Sequence, residues 1–160
     1  VFTAGAGANF GDPTGATTPS SNLGATWNFA YYVDIAGGGT LGDSIVELLY
    51  DFDPGTGTDE SAHGIFTLSN LFTGATAQDS QNLLFGFLAL DFPPIIDAPG
   101  GSFDPFAGGE YSFALRVSSA LAGPLGRSAI VVNVVPEPAT LALLGGGLIG
   151  LAALRRRRAS

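Results

Sequence analysis

Alternation of apolar and polar residues marks several stretches of this 160-residue chain as β-strands. The first stretch runs from Ala25 to Ile35, where every second residue is apolar: Trp27, Phe29, Tyr31, Val33 and Ile35. The stretch from Ser44 to Phe52 repeats the spacing and places Glu47 and Asp51 on the opposite face. Because successive side chains of a strand point to opposite faces, this period of two predicts half-buried strands.

Other parts of the chain show related patterns. Three further stretches read as strands, at 64–71, 110–118 and 129–135. Asn82–Phe92 is apolar on both faces, so it predicts a central strand that is covered on each side. Glycine and proline clusters such as Gly37–Gly39 and Pro93–Pro94 supply the turns between strands.

These patterns divide the chain into three parts. Residues 1–23 are rich in Gly, Thr and Ser and predict a flexible arm or an edge strand. Residues 24–135 predict one all-β domain, which we expect to be an antiparallel β-sandwich. Residues 136–160 have a different character and form a C-terminal tail.

The tail combines a proline motif, an apolar run and a basic cluster, in that order. Pro136-Glu137-Pro138 is followed by an uncharged run to Leu154 and then by Arg155, Arg156, Arg157 and Arg158. As a helix the run would be roughly 25 Å long, against about 30 Å for a bilayer core. An apolar run that ends in clustered arginines predicts a transmembrane helix whose arginines remain cytoplasmic. Its residues are Ala139, Thr140, Leu141, Ala142, Leu143, Leu144, Gly145, Gly146, Gly147, Leu148, Ile149, Gly150, Leu151, Ala152, Ala153 and Leu154.

The tail resembles the PEP-CTERM sorting signal of exported proteins of Gram-negative bacteria. The matching residues are Val135–Thr140, the run Leu141–Leu154 and Arg155–Arg158. The resemblance implies a partner, a membrane exosortase, which would cut near the motif Val135, Pro136, Glu137 and Pro138. It also implies an inner-membrane location before processing and the cell surface or an extracellular matrix afterwards. The family is typical of bacteria that make exopolysaccharide, so that polymer is an implied partner.

Other interpretations of the tail stay open. A buried core helix is one, although it does not account for the arginines. An anchor that is never cut is another. Gly146 and Gly150 form a GxxxG pair, which brings helices together in some membrane proteins. Since no basic-then-apolar segment precedes Val1 and the tail implies export, we expect an N-terminal secretory signal that this sequence lacks.

The charge of the chain is divided between its two ends. Of 14 acidic residues, 13 precede Pro136, where the only basic residues are Arg116 and Arg127, which leaves a net charge of −11. We therefore do not expect this acidic surface to bind nucleic acid or an anionic membrane, and we expect the tail to make the contact with membrane lipid. The acidity suits a surface that binds cations or polysaccharide, or one that merely keeps a secreted domain dispersed.

The residues that enzymes use are scarce. His63 is the only histidine, cysteine is absent, and no G-x-S-x-G motif occurs, although Asp59 and Ser61 lie near His63 in sequence. Closeness in sequence does not make a catalytic triad. A zinc site would require three or four ligands. We therefore expect a protein that is not an enzyme.

The acidic loop at 51–60 is the strongest candidate for a metal site. Asp51, Asp53 and Asp59 could present carboxylates to calcium, with glycine carbonyls assisting. The loop departs from the EF-hand pattern, because its sixth residue is Thr56 and its twelfth is Ala62. The alternative is a solvated turn.

Carbohydrate binding is the remaining interpretation for the domain. Trp27 is on the face assigned to the core, whereas Tyr32 points outward and could stack on a sugar ring. Taken together, the sequence predicts an exported structural or adhesive protein of an exopolysaccharide matrix. The alternatives are a carbohydrate- or calcium-binding module and a permanently anchored surface protein.

Overall fold

The computed structural model of the chain describes residues 2–5, 8–10, 23–25, 27–69, 71–72 and 74–136. These residues form ten strands and four one-turn 3₁₀ helices, so the predicted all-β class is confirmed. The strands are β1 Phe2–Gly5, β2 Ala8–Phe10, β3 Leu23–Ala25, β4 Phe29–Asp34, β5 Ile45–Tyr50, β6 Gly64–Thr67, β7 Thr76–Gln81, β8 Ile96–Asp97, β9 Gly109–Ser119 and β10 Gly123–Val135. The 3₁₀ helices are Ala36–Gly38, Leu41–Asp43, Glu60–Ala62 and Gly86–Ala89.

Six strands form the main sheet, in the order β1-β10-β9-β5-β6-β8. Every pair in it is antiparallel except β1 and β10, which run parallel from Phe2 opposite Val132 to Gly5 opposite Val135. The described pairs within residues 24–135 are all antiparallel. The exception involves β1, which belongs to residues 1–23, predicted as an arm or an edge strand, and which occupies the edge of the sheet beside β10. No hairpin links these two strands, which come from distant parts of the chain, so the connection does not impose an antiparallel direction.

The pair β4–β7 forms a second layer over one face of this sheet. Phe29 of β4 lies on Phe113 of β9 with ring centroids 4.3 Å apart, and Trp27 meets Phe113 edge-on at 6.0 Å. The inward assignment of β4 is confirmed, because Phe29 and Val33 are buried and the other members pack against the core: Trp27, Tyr31 and Ile35. A third pair, β2–β3, is antiparallel.

The predicted central strand at Asn82–Phe92 is wrong. This segment forms a turn and the 3₁₀ helix Gly86–Ala89, and only Phe92 bridges to another strand, at Ile96. Asn82 starts the turn, because its buried amide donates to the Trp27 carbonyl and its Oδ1 accepts from the Leu84 N–H at 3.0 Å. Apolar content alone could not separate a buried turn from a buried strand.

Two strands were missed by the pattern. β7 is a polar sequence in which only Ala77 and Gln81 are buried, because its outer face meets solvent. β8 has only two residues, which is too short for any period to show.

Within the described ranges, no helix is long and apolar enough to span a bilayer. The predicted transmembrane residues 139–154, together with Glu137, Pro138 and Arg155–Arg158, lie outside the described part of the chain.

Candidate functional site

The predicted processing motif begins where the last strand of the domain ends. Val134 is 4% exposed and lies opposite Gly109 of β9, whereas Val135 is 51% exposed and Pro136 is exposed. The chain thus passes from a buried, paired residue to the surface within one position. Glu137 and Pro138 lie outside the described residues.

Two consecutive glycines, Gly108 and Gly109, let other segments approach the start of β9 closely. A Cβ at Gly108 would lie 2.5 Å from the Cδ and Cγ atoms of Pro136. A Cβ at Gly109 would collide with the carbonyl oxygen of Pro54, which accepts a hydrogen bond from the Glu110 N–H at 3.1 Å. The start of β9 is therefore the surface on which both the loop after β5 and the departing chain are packed.

The loop after β5 uses two of its carboxylates to shape its own backbone. Asp53 Oδ1 accepts from the Gly55 N–H at 2.9 Å. Asp59 Oδ1 accepts from the Ser61 hydroxyl at 2.6 Å and from its N–H at 2.8 Å, and these bonds, led by the hydroxyl, hold the pKa of Asp59 below its ordinary value. Both are turn-forming hydrogen bonds typical of aspartate.

The third carboxylate of the predicted calcium set has a different environment. Asp51 is buried and turns toward β9, while Asp53 and Asp59 serve separate turns. Among the described residues, no three acidic or histidine side chains are grouped as a metal site would require. Calcium binding by Asp51, Asp53 and Asp59 stays a prediction that this arrangement does not favour.

A buried polar cluster joins this loop to the main sheet. Ser112 of β9 donates from its hydroxyl to Asp51 Oδ2 at 2.8 Å and from its N–H to the same oxygen at 3.2 Å. His63 Nε2 lies 2.7 Å from the Ser112 hydroxyl and 3.6 Å from Asp51 Oδ2. Burial raises the pKa of Asp51, and the bonds from Ser112 and the proximity of His63 partly offset this rise.

The hydrogen-bond partners limit where the protons of the cluster sit. His63 Nδ1 lies 3.0 Å from the Asp59 carbonyl oxygen, which only accepts, so this nitrogen carries a proton. The other ring nitrogen, Nε2, contacts the Ser112 hydroxyl, which can both donate and accept.

This cluster is not arranged as a nucleophilic triad. In a triad the histidine lies between the serine and the acid, whereas here the Ser112 hydroxyl lies between Asp51 and His63. The side chains of His63 and Asp51 are 4% and 2% exposed, which leaves no room for a substrate. Ser61 bonds to Asp59 rather than to His63. The expectation that the chain is not an enzyme stays a prediction.

The two arginines of the domain are both held by glutamates. Arg116 Nε contacts Glu47 Oε2 at 2.9 Å, and Arg127 Nη2 contacts Glu60 Oε2 at 3.0 Å. Because these are the only basic side chains before the tail apart from His63, the remaining carboxylates of the domain face no free arginine or lysine. The acidity of the sequence is therefore also an acidity of the surface.

Tyr32, the predicted sugar-stacking residue, lies on the outer face of β4. Its side chain is 61% exposed and stands opposite Gln78 of β7. Ala30 and Ser80 form the next pair on the same face, so two small side chains lie beside the Tyr32 ring. An open depression of about 540 Å³ lies over this face, with Tyr32, Gln78 and Ser80 among the residues that line it.

Comparison with known families decides the nature of the tail. Residues 134–158 match the family model of the PEP-CTERM protein-sorting motif. This chain carries a PEP-CTERM motif. The match confirms the resemblance and supports export and sorting to the cell surface by an exosortase. No curated protein and no solved structure matches the chain.

The PEP-CTERM match overlaps the β-domain by two residues. It begins at Val134, the last buried residue of β10, so the motif and the sheet share Val134 and Val135. The sequence predicted the motif residues Val135–Pro138 but gave no sign of the roles of Gly108, Gly109 and Ser112. These three residues contact either the end of β10 or the loop after β5. Only adjacency in space connects them to the motif, and no sequence signal shows which strand lies beside β10.

Proposed function

We propose that this chain is an exported surface protein that an exosortase cuts at its PEP-CTERM motif, and that its β-domain has a structural or adhesive role in an exopolysaccharide matrix. The observation that carries the proposal is the direct passage from β10 into the motif. An enzyme that cuts at or beyond Pro136 would release an intact domain, because the last described strand ends at Val135.

In this proposal the tail is a temporary membrane anchor. Residues 139–154 span the inner membrane as a helix in contact with lipid, and the four arginines stay on the cytoplasmic side. The clustered charge supports this direction of insertion, since arginine is costly to carry across a bilayer. A tail that is never cut is the alternative outcome.

The β-domain is proposed to be a β-sandwich, with β4–β7 as the start of its second layer. The packing of Phe29 on Phe113 and of Trp27 on Phe103 supports two facing layers with an aromatic core. A domain of this kind displays its loops and outer faces to its surroundings, which suits a matrix component.

The acidic surface supports a hydrated matrix setting. With Arg116 and Arg127 held by glutamates, the remaining carboxylates repel one another and anionic surfaces. Direct contact with a polyanion would be unfavourable, so the domain is expected to meet neutral polymers, or anionic ones through bridging cations.

Cell fractionation with intact-mass measurement tests the processing. In cells that have the exosortase, we expect the surface form to lack Arg155–Arg158, while deletion of the exosortase leaves the full tail on membrane-bound protein. Replacing both prolines of the motif, Pro136→Ala and Pro138→Ala, should cause the same retention. An intact tail on the surface form would favour the permanent anchor.

A second candidate function, carbohydrate binding, is favoured by one observation. Tyr32 is an exposed aromatic ring beside amide and hydroxyl groups on the outer face of β4 and β7, which is the chemistry that sugars contact. A glycan array should show binding that Tyr32→Ala removes and that Phe106→Ala retains, because Phe106 is a similarly exposed aromatic residue outside this face. An array without signal would leave the structural or adhesive role as the remaining candidate.

Calcium binding needs its own test. Calorimetric titration of the domain with calcium should give heat that Asp53→Asn reduces if the loop binds the ion. Heat equal to dilution would remove calcium from the account.

A further inference from the structure

The end of β10 is paired on both sides. Toward β9, Val132 lies opposite Tyr111 and Val134 opposite Gly109. Toward β1, the last four residues of β10 are opposite Phe2 to Gly5. A protease needs its substrate extended and free of other partners, so bonds within a doubly paired strand are shielded until the pairing opens.

A contact at the start of β9 also holds the residue that follows β10. Pro136 packs on Gly108, where even one added methyl group would overlap its ring. Gly109, the next residue, is held under the Pro54 carbonyl. Gly108, which lies against Pro136, thus comes directly before the residue that pairs with Val134. The direction in which the chain leaves β10 therefore depends on the pairing of β9 with β10.

We propose that β1 and Gly108 together set the upstream limit of processing: the doubly paired end of β10, from Val132 to Val135, offers no cleavable bond, and Gly108 fixes the position of Pro136 where the chain leaves the sheet. The proposal rests on the proposed function for the identity of the enzyme. The step itself is hydrolysis of one peptide bond at or beyond that limit. Water supplies OH to the acyl carbon of the domain and a proton to the amine of the released tail.

The limit is measurable without the exosortase. The full chain in detergent is treated briefly with a protease of broad specificity, and the products are identified by mass. We expect the first stable domain fragment to end at Val135 or later. A first fragment that ends at Val132, Asn133 or Val134 would overturn the proposal.

A matched glycine pair tests the contact of Gly108 with Pro136. Gly108→Ala should displace Pro136 and loosen the end of β10, so that cuts move upstream of Val135 and appear about tenfold faster. Proteolysis of an opened strand follows the population of the open form. Gly100→Ala is the control, because a Cβ at Gly100 meets nothing within 4 Å. Identical fragments and rates for the two variants would overturn the role of Gly108.

Removal of residues 1–5 tests the pairing of β10 with β1. It also provides a test of the proposal if Gly108→Ala does not fold. Thermal melting monitored by circular dichroism shows which variant retains the domain. The deletion should yield fragments that end at Val132, Asn133 or Val134, whereas an unchanged limit at Val135 would contradict the role of β1. If wild-type protein from cells keeps its tail while the limit holds in vitro, the proposed processing fails and the structural inference stands.

Discussion

The two halves of β10 differ in how they are held. Residues 124–129 are exposed and pair only with β9 among the described strands, whereas Val132 and Val134 are buried and lie between β9 and β1. The half nearer the hairpin also carries an irregular register between Pro124 and Gly126, because proline cannot donate to the ladder. The half that is buried and paired on both sides leads into the motif, so β10 is held more firmly near the tail than near the hairpin.

The largest expected effect comes from placing a charge in the buried half. Val134→Asp should lower the free energy of unfolding by about 4 kcal/mol, because its carboxylate would be buried without a partner. Ala129→Asp in the exposed half should change it by about 0.5 kcal/mol or less. Urea denaturation followed by tryptophan fluorescence measures both. Equal losses would mean that the two halves are held alike.

A smaller effect is expected from the cluster that ties the loop to β9. Ser112→Ala should cost about 2 kcal/mol, because buried Asp51 loses its hydroxyl donor. Ser118→Ala, six residues along the same strand and on the same face, should cost about 0.5 kcal/mol or less. The same denaturation series compares them, and a loss at Ser118 as large as at Ser112 would refute the importance of the cluster.

Asp51 should also make stability depend on pH. Its pKa is raised in the folded state by burial, so the folded chain binds a proton more tightly there than the unfolded chain does. The contribution of Asp51 is therefore fullest below its ordinary pKa and falls as the pH rises toward the raised value. Relative to wild type, Asp51→Asn should gain stability as the pH is raised from about 4. A difference between the two proteins that does not change with pH would contradict this expectation.

The smallest effect is expected at the exposed ion pair. The side chains of Arg127 and Glu60 are 50% and 42% exposed, so Arg127→Ala should cost about 0.5 kcal/mol, and less in high salt. A loss above about 1.5 kcal/mol would show that this pair, and not only the buried cluster, holds the loop to the sheet.

The sequence predicted the parts of this molecule that have a local cause. The alternation in β4 predicted its inward face, and the order of proline motif, apolar run and arginines predicted the sorting signal. Asn82–Phe92 was misread because burial on all sides looks the same in a turn and in a central strand. β7 was missed because it contributes little apolar surface.

The contacts at the end of β10 were not predictable, and the reason is different. The contact of Pro136 with Gly108 joins residues that are brought together only by the pairing of β9 with β10. Likewise, Ser112 looks like an ordinary outward residue until the loop containing His63 folds over it. Contacts between distant segments follow from strand order, which a single sequence does not reveal.

The most direct measurement is the C-terminal residue of the protein recovered from the cell surface, read by fragmentation of the intact chain in a mass spectrometer. The account predicts a single terminus at or just beyond Val135, with the β-domain whole and the arginine cluster gone. A terminus at Ser160, or one inside the last strand, would contradict it.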